Sequence, residues 1–383
     1  MLYIFKLAFD MDNAILFLMR KCNEQPEEGW FEVMAELKER KLHYDILRVL
    51  AAFSVVMLHS AAQFWYDLDV RSTEWIVANS YDAVFRFGVP VFVMISGAIF
   101  LDKDYTLDIK RLYKHNILRL VVLYVIWSVV YGLYDTRNWD WKVAGVKTIL
   151  REMLNGRYHL WFIPMIAGIY VLLPVLKSWV ENAKQKTIEY FLMIFFVLQI
   201  CSETIRALVL SDEIHYILDL SKVEMACGYI GYFVLGYYLA HHGISMKVKK
   251  ILNVLVVPAI VANVVLGFLL AWRVNAPVAM IYDSFGIFTF IISVVLFVYV
   301  LEKGKKVNAG VKSGKVWKEL SEDTLGVYVM HVGLMEFTME LGVHSMRIPN
   351  VVGIPLYAVI CFAVCALAAT LLRRIPFVGR FLC

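Results

Sequence analysis

The sequence predicts an all-α integral membrane protein with about ten transmembrane helices and both termini in the cytoplasm. Three observations lead there. Of 383 residues, 60% are hydrophobic and the mean hydropathy is +0.65, more apolar than a soluble chain of this length. The apolar residues fall into blocks of about 20, the length that crosses a bilayer core of about 30 Å, and they run continuously rather than alternating, which selects helices over a β-barrel. Lys and Arg concentrate in alternate connections, which the positive-inside rule assigns to the cytoplasm.

Residues 1–44 form an extension that is apolar but broken by Lys6, Asp10 and Asp12. It has neither the basic start nor the cleavage site of a signal peptide. It is read either as an interfacial helix on the cytoplasmic face or as sequence outside the native protein. The spans are expected at 45–66, 81–101, 114–134, 159–179, 189–208, 223–241, 251–272, 281–301, 324–342 and 352–372. The inner connections carry groups such as Lys103, Lys110, Arg111 and Lys114, or Lys303, Lys305 and Lys306. The outer ones carry few cations, except between spans 3 and 4, where Arg137, Lys142, Lys147, Arg151 and Arg157 lie in a connection long enough for a short re-entrant or surface helix. The lysine-rich stretch 302–323 is a cytoplasmic connector. The domain organisation is therefore an extension 1–44, a transmembrane domain 45–372 and a short cytoplasmic tail 373–383. No internal repeat and no soluble domain is evident. The cysteines have no disulfide or zinc spacing, and Cys361 and Cys365, one helical turn apart, read as small buried thiols. No metal site and no nucleic-acid partner is expected.

Three cations sit inside apolar blocks: Arg48, Arg86 and Arg119. A charge there costs at least a few kcal/mol on insertion scales and marks function or a specific pairing, or else a side chain snorkelling from a helix end. Arg48 opens the segment "RVLAAFSVVMLH", which ends at His59. Eleven helical steps turn to within about 20° of three full turns, so both side chains share one face, about 16 Å apart along the axis. With the N-terminus inside, Arg48 lies at the cytoplasmic shoulder and His59 near mid-membrane. A guanidinium holds phosphate through paired hydrogen bonds, and an imidazole accepts a proton near neutral pH. A coenzyme A thioester has the matching shape, with phosphates at one end and a reactive carbonyl at the tip of a flexible arm. A purely structural interhelical hydrogen bond is the other reading of His59.

Span 2 places Asp82 and Arg86 one turn apart, as a candidate ion pair, and Pro90 where the backbone can open. Span 4 opens with "RYHLWFIPM", in which His159 and Trp161 suit a sugar or an interfacial belt. Span 9, "SEDTLGVYVMHVGLMEFTMEL", puts His331 roughly level with His59 and Glu336 and Glu340 farther out. These serve to orient a catalytic base, to bind an acceptor or to pass protons. Glu203 in span 5 is ambiguous.

Together, Arg48-x10-His59 in the first span, "RFGVPVFVMISG" at 86–97, "HLWFIPMIAGIYVLLPVL" at 159–176 and "LGVYVMH" at 325–331 resemble the family-3 membrane acyltransferases, which acylate sugars of the cell envelope. The resemblance spans most of 43–372. It implies ten helices with cytoplasmic termini in a bacterial-type cytoplasmic membrane, His59 as the essential histidine and Arg48 in the acyl-coenzyme A site; Arg119 carries over less directly. Arg86, His159, Trp161, His331 and Glu336 are then candidates for acceptor binding or support. The expected partners are membrane lipid, acyl-coenzyme A (acetyl-coenzyme A first) as co-substrate, and an envelope carbohydrate or glycolipid; no bound cofactor is implied. Export of a polysaccharide or glycolipid by the same helix set is the alternative function.

Overall fold

The structure, a computed structural model, describes residues 41–137, 146–209, 211–220, 227–306, 311–375 and 379–382. The interfacial helix expected in the extension falls on residues outside this set. Every regular element among the described residues is helical. They are α1 (Leu42–Ala62), α2 (Thr73–Val84), α3 (Gly88–Phe100), α4 (Ile109–Thr136), α5 (Val146–Asn155), α6 (Phe162–Asn182, after a 3-10 turn at Tyr158–Trp161), α7 (Gln185–Leu208), α8 (Asp212–Leu220), α9 (Gly228–His241), α10 (Met246–Val274), α11 (Ile287–Lys306), α12 (Val311–Glu340), α13 (Asn350–Arg373) and α14 (Gly379–Leu382).

Eight segments among the described residues are long and apolar enough to cross a membrane, with α2 and α3 counted as one, Thr73–Phe100. The two remaining expected spans fall on α9 and α12. α9 has 14 described residues, the expected start of its span at 223–226 lying outside the described set, and it is apolar on all sides and largely enclosed by protein. α12 begins with a charged half and carries His331, Glu336 and Glu340 in its apolar half, because that half faces polar partners inside the bundle. The short helix expected between spans 3 and 4, re-entrant or on the surface, is α5. A second short helix, α8, was not expected.

α1 is the centre of the fold. It packs against α2, α3, α11, α12 and α13, and most of its apolar window is buried inside the protein. Around it, α4, α10 and α13 turn rows such as Val121, Val125 and Val129, or Val364, Leu367 and Leu371, outward. Apolar faces of that extent suit lipid, not water. The backbone opens between α2 and α3 at residues 85–87, and Pro90 then sits in the first turn of α3, where a missing N–H costs nothing. The break leaves Arg86 outside both helices.

The tightest crossing joins α3 to α9. A Cβ on Gly97 would lie 1.7 Å from the Phe233 carbonyl oxygen, and one on Gly236 would lie 2.0 Å from that of Met94. The two glycines thus face each other's helix backbone, the small-residue approach by which membrane helices gain packing without a hydrophobic drive. Gly97→Ala is expected to lower the unfolding midpoint of the detergent-purified protein, at a cost of about 1–3 kcal/mol or more from overpacking. Gly168→Ala, where a Cβ would meet nothing within 4 Å, should leave the midpoint unchanged.

Candidate active site

Arg48 and His59 both belong to α1, so helix geometry sets their separation at about 16 Å. Arg48 is half-buried and pairs with Asp45, one turn earlier, at 3.4 Å. With Lys41, Tyr44, Asp102, Asp104 and Tyr105 it lines a cavity of about 280 Å³. Asp102 ties this end together. It accepts from Lys41 Nζ at 2.8 Å, lies 3.2 Å from His241 Nε2, and its backbone carbonyl accepts from the buried Lys177 at 2.9 Å. Burial raises the Asp102 carboxyl, but hydrogen bonds from Lys41, the Asp104 amide and His241 outweigh it and hold the carboxyl at about 2. Its stabilising charge is therefore present through the neutral range and is lost only as pH falls toward that value. Arg119, partly buried on α4, does not line this cavity.

About three turns away, three elements bring three imidazoles together: His59 from α1, His159 from the turn before α6, and His331 from α12. Ring centroids are 5.1 Å apart for His59 and His331, 5.2 Å for His159 and His331, and 6.5 Å for His59 and His159. His331 is 0% exposed and His159 is 2% exposed, whereas His59 is partly exposed. His331 Nδ1 lies 2.7 Å from the Tyr328 carbonyl and 3.1 Å from that of Val327. Both oxygens can only accept, so Nδ1 carries the proton and the neutral ring keeps its lone pair on Nε2. That Nε2 is buried with no protein partner. His59 thus has beside it a ring whose tautomer the α12 backbone sets.

Tyr131 on α4 fixes this part of α12. Its hydroxyl donates to the Val329 carbonyl at 2.8 Å and accepts from the Gly333 N–H at 2.9 Å, bridging one step of the α12 ladder on either side of His331. Tyr328 in turn donates to the His159 carbonyl. The exposed Tyr158 ring stands 5.6 Å from that of His59.

Beyond the histidines lies a charged group. Arg157 pairs with Asp135 at 2.6 Å and with Glu336, to which its Nε donates at 3.1 Å; Arg137 pairs with Glu340, which also accepts from Tyr134 at 3.0 Å. On the other flank, Arg86 forms the expected pair with Asp82, through Nε at 2.8 Å and Nη2 at 2.6 Å, and lies over the Tyr282 ring at 5.2 Å. Trp161 is exposed and packs against Tyr229, with centroids 5.7 Å apart.

The structure therefore brings His59, His159 and His331 together, adds Glu336 through Arg157, and places Arg48 in a separate cavity at the far end of α1. Sequence reasoning missed Asp45, Asp102, Tyr131, Arg157 and Tyr158. Only Arg157 and Tyr158 carried a signal, as immediate neighbours of His159. Among the described residues, no group of three or more His, Cys, Asp or Glu side chains is placed to hold a metal ion. Replacing Tyr131 with Phe keeps the ring but removes both of its bonds to α12. The unfolding midpoint should fall, at a cost of about 0.5–1.5 kcal/mol for each hydrogen bond lost.

Comparison with known proteins agrees with the motif reading. The profile of the acyltransferase domain of family 3 matches residues 42–372, which takes in every helix from α1 to α12 and almost all of α13. No curated protein and no solved structure shows a significant match. With most of the chain covered and its apolar helices long enough for repeated crossing, the protein belongs to the family-3 acyltransferases and is a multi-pass membrane acyltransferase.

Proposed function

We propose that the protein moves an acyl group, acetyl in the first instance, from acyl-coenzyme A on the cytoplasmic side of a bacterial-type cell membrane to a hydroxyl of an envelope sugar or glycolipid on the other side. The observation that carries this reading is the histidine cluster, with one partly exposed ring beside a buried ring that keeps an unpartnered lone pair. The cation distribution in the connections supports cytoplasmic termini and so puts the Arg48 cavity on the donor side. Arg48 meets the donor phosphates there by giving up its long 3.4 Å contact with Asp45, Arg119 is a second cation outside that cavity at the same membrane face, and the pantetheine arm covers the depth to His59.

His59 acts as general base. As the acceptor oxygen attacks the thioester carbonyl, its proton passes to His59. The carbon–sulfur bond breaks and the thiolate of coenzyme A takes up a proton, so one ester and one thiol replace one hydroxyl and one thioester. The neighbouring His331 keeps an unpartnered Nε2 lone pair beside the reacting groups. Transfer through an acyl group carried on His59 reaches the same products in two steps. His159, Trp161 and Arg86 border the acceptor side, where aromatic rings and fixed dipoles suit a sugar.

In membranes supplied with acetyl-coenzyme A and envelope carbohydrate, His59→Ala should cut coenzyme A release by about 100-fold or more while the protein still inserts. A fully active variant overturns the proposal, and glycan transport without coenzyme A release establishes export in its place. The depth of the imidazole matters as well as its presence. Adding Val55→His or Gln63→His to His59→Ala, which moves the ring by one turn, is expected not to restore release.

A further inference from the structure

The charged group beyond the histidines constrains the acceptor more narrowly. Asp135, Glu336 and Glu340 supply three carboxylates, and Arg137 and Arg157 supply two guanidiniums. Both cations are already committed: Arg157 bridges Asp135 and Glu336, and Arg137 holds Glu340. Among the described residues of this group, one carboxylate charge is left over. An incoming anion would have to displace a bound carboxylate and would face that surplus charge, whereas a hydroxyl meets ready-made acceptor oxygens.

A second observation points to a ligand. Glu336 Oε2 is buried and has no hydrogen-bond partner, although Arg157 holds the same carboxylate through Oε1. A native protein rarely leaves a buried carboxylate oxygen unpaired. The fully buried His331 Nε2 is likewise unpartnered. The two groups stand on one helix, five residues or about 7.5 Å of axial rise apart, but five steps also turn about 140° around the axis, so they leave α12 on different faces and only the Glu336 oxygen belongs to the charged group. They are joined by shared neighbours: Tyr131 packs 5.2 Å from His159 and lies beneath Arg157 at 5.9 Å, and Tyr158, next to Arg157 in the chain, faces His59.

We infer that Glu336 is an acceptor-binding residue whose free oxygen takes a hydroxyl of an uncharged sugar, and that this charged group discriminates against acceptors carrying a carboxylate or phosphate near the acylated hydroxyl. The inference rests on the acyltransferase reading and names its acceptor class. Arg157 is a positioning residue: its fork on Asp135 and Glu336 Oε1 fixes the carboxylate and leaves the second Glu336 oxygen without a protein donor.

The test uses the full-length protein in proteoliposomes with radiolabelled acetyl-coenzyme A and two matched probes, methyl glucoside and methyl glucuronide. Acetyl ester should form on the glucoside at least about tenfold faster than on the glucuronide. Glu336→Gln should lower glucoside use and shrink that preference severalfold, because it removes the surplus charge and frees Arg157 toward anions. A merely structural role would lower both probes equally and leave the ratio unchanged, which overturns the assignment. Equal or faster use of the glucuronide by the wild type, or transfer to neither probe, also overturns it. His59-dependent coenzyme A release with crude envelope carbohydrate is scored separately and decides the acyltransferase reading by itself. If Glu336→Gln does not insert, Glu340→Gln, at a half-exposed site, applies the same charge change, and an unchanged ratio there counts against the proposal.

Discussion

Within a bilayer, a polar group finds hydrogen-bond partners only in the protein itself, and the arrangement of this fold follows from that constraint. Each charge in an apolar segment whose pairing is described turns inward to a partner. Arg86 meets Asp82 through two nitrogens, Lys177 meets the Asp102 carbonyl and Glu181, and Arg373 on α13 reaches Asp323, Glu322 and Glu319 on α12. The groups that must be hidden from lipid are gathered around α1. A helix surrounded by five others is the natural place for polar chemistry at depth, and the glycine crossing of α3 and α9 supplies close packing beside it.

The histidine cluster is costly by the same logic, since buried imidazoles need partners. The protein meets the cost only in part. His331 gives its Nδ1 proton to helix carbonyls that already accept from the backbone, and its other nitrogen stays unpaired. Stability alone would favour an apolar side chain at that position. An incompletely satisfied polar group held rigidly at the centre of a bundle is a sign of use by a ligand.

Much of this was legible in the sequence because it is local. Helical phase put Arg48 and His59 on one face, the span lengths put His59 and His331 at one depth, and a four-residue interval paired Asp82 with Arg86. Pairings across distant segments leave no such trace. Arg157 read as an ordinary loop cation, and nothing in periodicity links it to Glu336. The role of Asp102 depends on Lys41, His241 and Lys177, which come from the N-cap of α1, from α9 and from α6. Tyr131 sits in an apolar block where a tyrosine is unremarkable, and Gly97 and Gly236 only acquire meaning once their helices cross. α12 departed from the expected pattern for the same reason: hydropathy reports exposure to lipid, and its apolar half answers mainly to protein.

The Tyr131 bridge also makes α12 mechanically dependent on α4. A hydroxyl that spans a backbone step of a neighbouring helix cannot shift without disturbing that step, and this step flanks the carbonyls that set the His331 tautomer. A displacement of α4 against α12 is therefore felt, through one phenol, beside the carbonyls that hold the proton of a buried imidazole.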